Sequence, residues 1–191
     1  MNRAVLWAAI ALPALGLGGL WALTDYQSRQ GTEWDVPIQG YDPRDLLRGH
    51  YVEFTYDWPL VREESDERDL APWERVPIER LCLSGEAPVI ETAVRIENDA
   101  EAAQCTDLAV ANPYGVYSYD GLNRGRLYAG QDRALEIQEE MRDPDKRGIV
   151  RIRVREDGTV TPLAIRFRPL SAEEIAERDT PEIEDETASE E

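Results

Sequence analysis

The chain has 191 residues, 21 basic against 39 acidic side chains, and a net charge of −18. A molecule so charged repels phosphate backbones, which argues against a nucleic-acid partner. Two cysteines and one histidine leave no material for a structural zinc site, while 42% apolar residues suffice for a folded core. The first element in chain order is Ala4 to Leu23, twenty residues without a charge, the length of a helix that crosses ~30 Å of hydrocarbon. Arg3 and the amino terminus precede it and Asp25 follows. The positive-inside rule then puts the N-terminus in the cytoplasm and the rest outside it. Trp7 and Trp21 stand near the two ends of the run, where indoles favour headgroups. A cleaved signal peptide is the competing reading, but the run is long for one and no small-x-small site follows it. Residues 1–24 are therefore expected to form a signal-anchor in the inner membrane, and 25–41 a linker leading into the domain.

Residues 42–57 read DPRDLLRGHYVEFTYD. Asp42 suits an N-cap and Pro43 the first helical position. Asp45 and Arg48 form an i, i+3 pair, and Gly49 ends the turn. A strand is expected over His50–Trp58, with Val52, Phe54, Tyr56 and Trp58 on one face and Tyr51, Glu53, Thr55 and Asp57 on the other. Residues 62–73 read as a charged, exposed loop. Further strands are expected over Ile78–Leu83, Val89–Glu97 and Tyr114–Tyr119. In an oxidising compartment Cys82 and Cys105 pair by default, closing a loop worth about 3 kcal/mol.

Asp132 is placed to cap a helix through Met141, with Ala134, Ile137 and Met141 on its apolar side. Two alternating runs then flank Asp157-Gly158, a strong hairpin signal. A two-residue loop pairs Val154 with Thr161, Ile152 with Leu163 and Val150 with Ile165. The opposite face carries Arg151, Arg153, Arg155, Arg166 and Arg168. That stripe is either a solvated face balanced by carboxylates, with Glu136, Glu139 and Glu140 as candidates, or a docking stripe for an anionic partner or lipid headgroups. The end, 171–191, reads as a disordered acidic tail, ten acidic residues against Arg178. The expected fold class is α+β, mostly β: one N-terminal transmembrane helix, then one compact β-rich extracytoplasmic domain over 42–170 with one or two short helices.

Gly49-His50-Tyr51-Val52-Glu53-Phe54-Thr55-Tyr56 resembles the motif of the membrane-anchored GDYxxLxY family. Asp42-Pro43-Arg44-Asp45-Leu46 is similar to the box that precedes it there, and the likeness extends over roughly residues 4–168. His50 stands for the motif's aspartate and Phe54 for its leucine. The resemblance implies a bacterial envelope protein, often encoded beside polytopic membrane proteins, with no established catalytic residues to carry over. The candidate interaction residues are Asp42, Pro43, Arg44, Asp45, Arg48, Gly49, His50, Tyr51, Phe54 and Tyr56.

The expected function is thus a membrane-anchored accessory protein that associates with a polytopic membrane protein. It is expected to use no cofactor, metal or catalytic residue. An envelope hydrolase is the alternative. Leu46–Val52 faintly resembles the first box of signal peptidases, but no serine stands at the nucleophile's place, and the only lysine, Lys146, lies in a charged turn. A further alternative is a weak cation-binding or ligand-sensing module, with the acidic run 63–67 or the acidic tail as the cation site; neither has an EF-hand's spacing.

Overall fold

The structure, a computed structural model, describes residues 3–39, 51–61, 77–113 and 121–179. The chain opens with α1 (Arg3–Ser28), 26 residues long with Pro13 inside it. In α1 the side chains are described at Trp7 and from Ala9 onward. Among the described residues no helix is long and apolar enough to cross a membrane, and the crossing expected over 4–23 becomes a proposal below.

Only Arg29, Gln30 and Gly31 separate α1 from β1 (Thr32–Gln39), so a strand occupies much of the expected linker 25–41. Its alternation is regular: Trp34, Val36 and Ile38 are buried, Glu33 and Asp35 half-buried. Pro37 hides this strand from a sequence reader, because proline removes a ladder donor. Here β1 changes partner at that residue. It pairs with β4 (Val89–Arg95) at Asp35 and with β2 (Tyr51–Tyr56) from Ile38 on, and Asp57 N–H donates to the Pro37 carbonyl across the gap between them.

The other edge of β1 pairs along nearly its whole length with β7 (Lys146–Val154), which pairs in turn with β8 (Val160–Pro169). On the other side of the sheet, β3 (Arg80–Glu86) joins β4 to β5 (Asp107–Val110), and β6 (Arg124–Tyr128) pairs with β2. The eight strands form one sheet, curled until β6 approaches β8. Every neighbouring pair along β6-β2-β1-β7-β8 is antiparallel, so β6 and β8 run the same way. One core fills the curl, with Val36, Leu81, Ile137, Val150 and Ile152 buried completely or nearly so. The fold is therefore mostly β with few helices, as expected.

Particular elements differ. The α3 helix (Gln131–Met141) starts from Gly130 without a side-chain cap, and Asp132 lies in its first turn; Ala134 and Ile137 are buried as read. The β7–β8 loop is longer than two residues. Arg155 N–H donates to the Thr159 carbonyl, Asp157 accepts from Thr159 N–H, and Gly158 adopts φ +81°. That is a three-residue turn ending in a left-handed residue. It shifts the register to Val154↔Val160 and Ile152↔Pro162, and a bulge at Arg151/Ile152 restores the expected Val150↔Ile165. Eight residues of the acidic tail, just after Ser171, form α4 (Ala172–Asp179), nucleated by a reciprocal cap: Glu174 N–H donates to Ser171 Oγ and Ser171 N–H to the Glu174 carboxylate. At α2 (Asp99–Ala102) Glu101 N–H donates to Asn98 Oδ1, while the Asn98 side-chain amide and Glu97 N–H donate to the Glu101 carboxylate. Cys82 and Cys105 are bonded, tying β3 to the segment after α2. The expected strand over 114–119, the loop over 62–73 and residues 180–191 lie outside the described residues.

Candidate functional site

The motif strand β2 divides its side chains between two faces. Val52, Phe54 and Tyr56 point into the core, and Trp58 just beyond the strand continues the row. Phe54 meets Tyr56 edge-on at 5.2 Å, and Tyr56 stacks on Trp58 at 4.9 Å. The Trp58 indole N–H donates to the Leu122 carbonyl at 2.8 Å, so its polar atom is satisfied inside. Burial pushes the Tyr56 phenol above its ordinary range, which keeps it neutral. Gly125 of β6 sits opposite Phe54; a Cβ there would lie 2.5 Å from the Phe54 ring and 2.7 Å from the Tyr56 hydroxyl. The aromatic ring covers a site that only glycine leaves open. An apolar residue at position 54 therefore serves packing, and phenylalanine in place of the motif's leucine retains that service.

The outer face of β2 carries Tyr51 and Glu53, opposite Tyr128 and Arg126 of β6. Arg126 lies 3.9 Å over the Tyr51 ring and donates to Glu53 at 2.9 Å, both side chains of that ion pair being about four-fifths buried. Tyr128 meets Tyr51 edge-on at 6.2 Å and is itself 71% exposed. The motif's two tyrosines thus do different work: Tyr56 packs and Tyr51 presents. Asp42, Pro43, Arg44, Asp45, Arg48, Gly49 and His50 lie outside the described residues.

A cleft of about 430 Å³ opens beside this face, lined by Tyr56, Asn112, Leu122, Arg124, Arg126 and Tyr128 among others. Its size suits a small ligand or a peptide side chain. Among the described residues no cluster of three His, Cys, Asp or Glu side chains is arranged to hold a metal ion. Lys146 lies between Glu140 (3.6 Å) and Asp143 (3.5 Å).

The five stripe arginines share the outer face of β1, β7 and β8 and its turn, and each has a carboxylate partner. Asp35 takes two 2.8 Å bonds from Arg151 and another from Arg166. Burial acts to raise the Asp35 carboxyl, but the Arg151 hydrogen bonds and the charges of Arg166 and Arg151 hold it below the usual carboxylate range. Arg153 pairs with Glu33, and Arg155 with Asp157. Arg168 makes a bidentate pair with Glu174 at 2.6 and 2.8 Å, which with the Ser171 cap draws that carboxyl down to about 2. Arg147, not in the sequence stripe, joins Asp57 and approaches Glu174 at 3.8 Å. The balancing carboxylates come from β1, the turn and α4. The expected candidates on α3 serve elsewhere: Glu136 meets Arg133, Glu140 meets Lys146, and no stripe arginine reaches Glu139. The alternation Glu33-Trp34-Asp35-Val36 was the available signal for the missed carboxylates, and Pro37 masked it. Ser171-Ala172-Glu173-Glu174 was the signal for the α4 cap.

Fold and motif together define a single curled sheet carried behind an N-terminal helix, with an aromatic strand at one end. The family model described as GDYXXLXY protein matches residues 13–165, and the chain belongs to that family. No curated protein and no solved structure matches it.

Proposed function

We propose that this protein is a membrane-anchored accessory subunit of the bacterial envelope. In this reading α1 lies in the inner membrane with its N-terminus cytoplasmic, and the sheet stands outside the cytoplasm and associates with a polytopic membrane protein. The observation that carries it is the surface of α1. Leu12, Leu15, Leu17 and Trp21 are each 69–77% exposed, and Trp7, Ile10, Leu20 and Leu23 are exposed too, on every side of the helix. A helix apolar all round belongs in lipid or against other helices. The uncharged run starts at Ala4, ahead of the stretch whose side chains are described. The disulfide supports an oxidising compartment.

Two measurements test the proposal. The full chain at native expression is expected to resist alkaline extraction from membranes, and a C-terminal reporter active only outside the cytoplasm is expected to be active. Mild-detergent purification is then expected to recover a polytopic membrane protein with it. Release into the soluble fraction overturns the anchor; repeated recovery of the chain alone overturns the accessory role.

A further inference from the structure

An anchored domain on a flexible tether samples many orientations, and a linker is what the sequence predicts over residues 25–41. The joint observed is different. After α1 the backbone closes with Arg29 N–H on the Tyr26 carbonyl and Gln30 N–H on the Gln27 carbonyl. Gly31 follows at φ +115°, and a Cβ there would lie 2.3 Å from the Val154 carbonyl oxygen, so the backbones of the joint and of β7 are in direct contact. Thr32 already pairs with Val154. Arg153 of β7 spans the junction, donating through Nη1 to the Ser28 carbonyl at 2.6 Å and through Nη2 to Glu33. The last carbonyls of a helix lack intrahelical partners, and its C-terminus favours a cation; one guanidinium meets both needs. Asp25 and Arg29 brace the last turn at 3.1 Å.

We infer that Arg153 clamps α1 to the sheet, so that helix and domain move as one body and the sheet keeps a fixed orientation on its helix. This inference stands on the junction alone and needs the anchor reading only to say where the lipid lies. Given that reading, it fixes how the sheet stands on the membrane. The β7–β8 turn, Arg155 to Thr159, lies at the α1 end of the sheet, because Val154 pairs with Thr32. The curl brings Arg126 and Tyr128 of β6 beside that hairpin, where they line one cleft with Asp157, Thr159 and Val160. The clamp therefore holds this cleft in a fixed relation to the helix.

The test is a distance distribution between spin labels at Thr24→Cys on α1 and Ala164→Cys on β8, in the full chain in detergent micelles. A narrow distribution is expected. Arg153→Ala is expected to widen it to about 10 Å, the span of three free residues. Should Arg153→Ala unfold the sheet, inserting Gly-Ser-Gly after Gln30 adds slack with the clamp residue intact, and the same widening is expected. A broad distribution in the parent chain, or a narrow one after either change in a folded protein, overturns the clamp. Loss of membrane retention with a narrow distribution would remove the anchor reading and leave the clamp standing.

Discussion

The two faces of the sheet are built from different chemistry and fail in different ways. Inside, Phe54, Tyr56 and Trp58 interlock around Gly125, with each ring a wall of the next one's site. Outside, Glu33, Asp35, Asp57 and Glu174 share five arginines, and several of these groups have more than one partner. A packed interior has no slack, so a lost or added atom is felt in full. A half-wet ion network redistributes, because water and a second partner take up what one partner releases. Stability should therefore depend on the inner face, while the outer face sets how the elements are oriented: α4 on β8, and β1 on β7.

The sharpest way to break that contrast is on the inner face. Phe54→Ala removes a buried ring that touches Tyr56 and covers Gly125, and is expected to cost about 3–5 kcal/mol in chemical unfolding. Losing less than 1 kcal/mol would mean that the row is not a packed unit. Opening the Cys82–Cys105 bond, by reduction or by a Cys82→Ser, Cys105→Ser double change, is expected to cost about 3 kcal/mol for its 23-residue separation. Gly125→Ala is expected to cost about 1–3 kcal/mol, since its methyl meets ring atoms at 2.5 Å. Phe54→Leu combined with it should recover part of that loss, which a melting series of the two single changes and the pair would read.

Much of the inner face was legible beforehand because it obeys period two. Alternation alone places Val52, Phe54, Tyr56 and Trp58 on one side, and all four are buried. The β7–β8 hairpin was legible for the same reason, but its loop was not. Asp-Gly suits both a two-residue loop and the last two positions of a three-residue one, and the Arg155–Thr159 hydrogen bond and the Val154↔Val160 register show which was chosen. The carboxylates of the outer face were hidden for physical reasons. Pro37 breaks the strand pattern of β1 unless the partner change at that residue is known. Glu174 reads as one acid among ten until Ser171 and Arg168 are seen to hold it. The Arg126–Tyr51 contact joins strands 75 positions apart, and no local pattern announces it.

On the outer face the contrast predicts a gradation set by burial. The Asp35 side chain is 11% exposed and holds two arginines, so Asp35→Asn leaves two cations short of a partner in a partly dry site. An expected loss of about 1–2 kcal/mol follows. Arg166 is 61% exposed, and Arg166→Ala is expected to stay within about 0.5 kcal/mol. Equal effects from the two changes would show that the network works as a rigid unit and does not redistribute.

The smallest expected effect is the pH response of α4. Glu174 has its carboxyl drawn from 4.5 down to about 2, first by the Arg168 hydrogen bonds, against a burial that acts to raise it. A carboxyl that holds its proton less tightly in the folded state gives stability that is complete above the unfolded value. That contribution fades as acid brings the pH down from about 4.5 toward 2. Asp35, also lowered, acts in the same direction. The cap at Ser171 and the pair with Arg168 should therefore weaken together, and amide exchange in α4 should speed up before exchange in β7 and β8 does. Glu174→Gln retains a hydrogen-bonding side chain but cannot titrate, so it should abolish the α4 step below pH 4.5 and leave the core transition in place. If α4 and the sheet instead lose protection together at every pH, the ion pair is not what holds the helix, and the division of labour between the two faces does not extend to it.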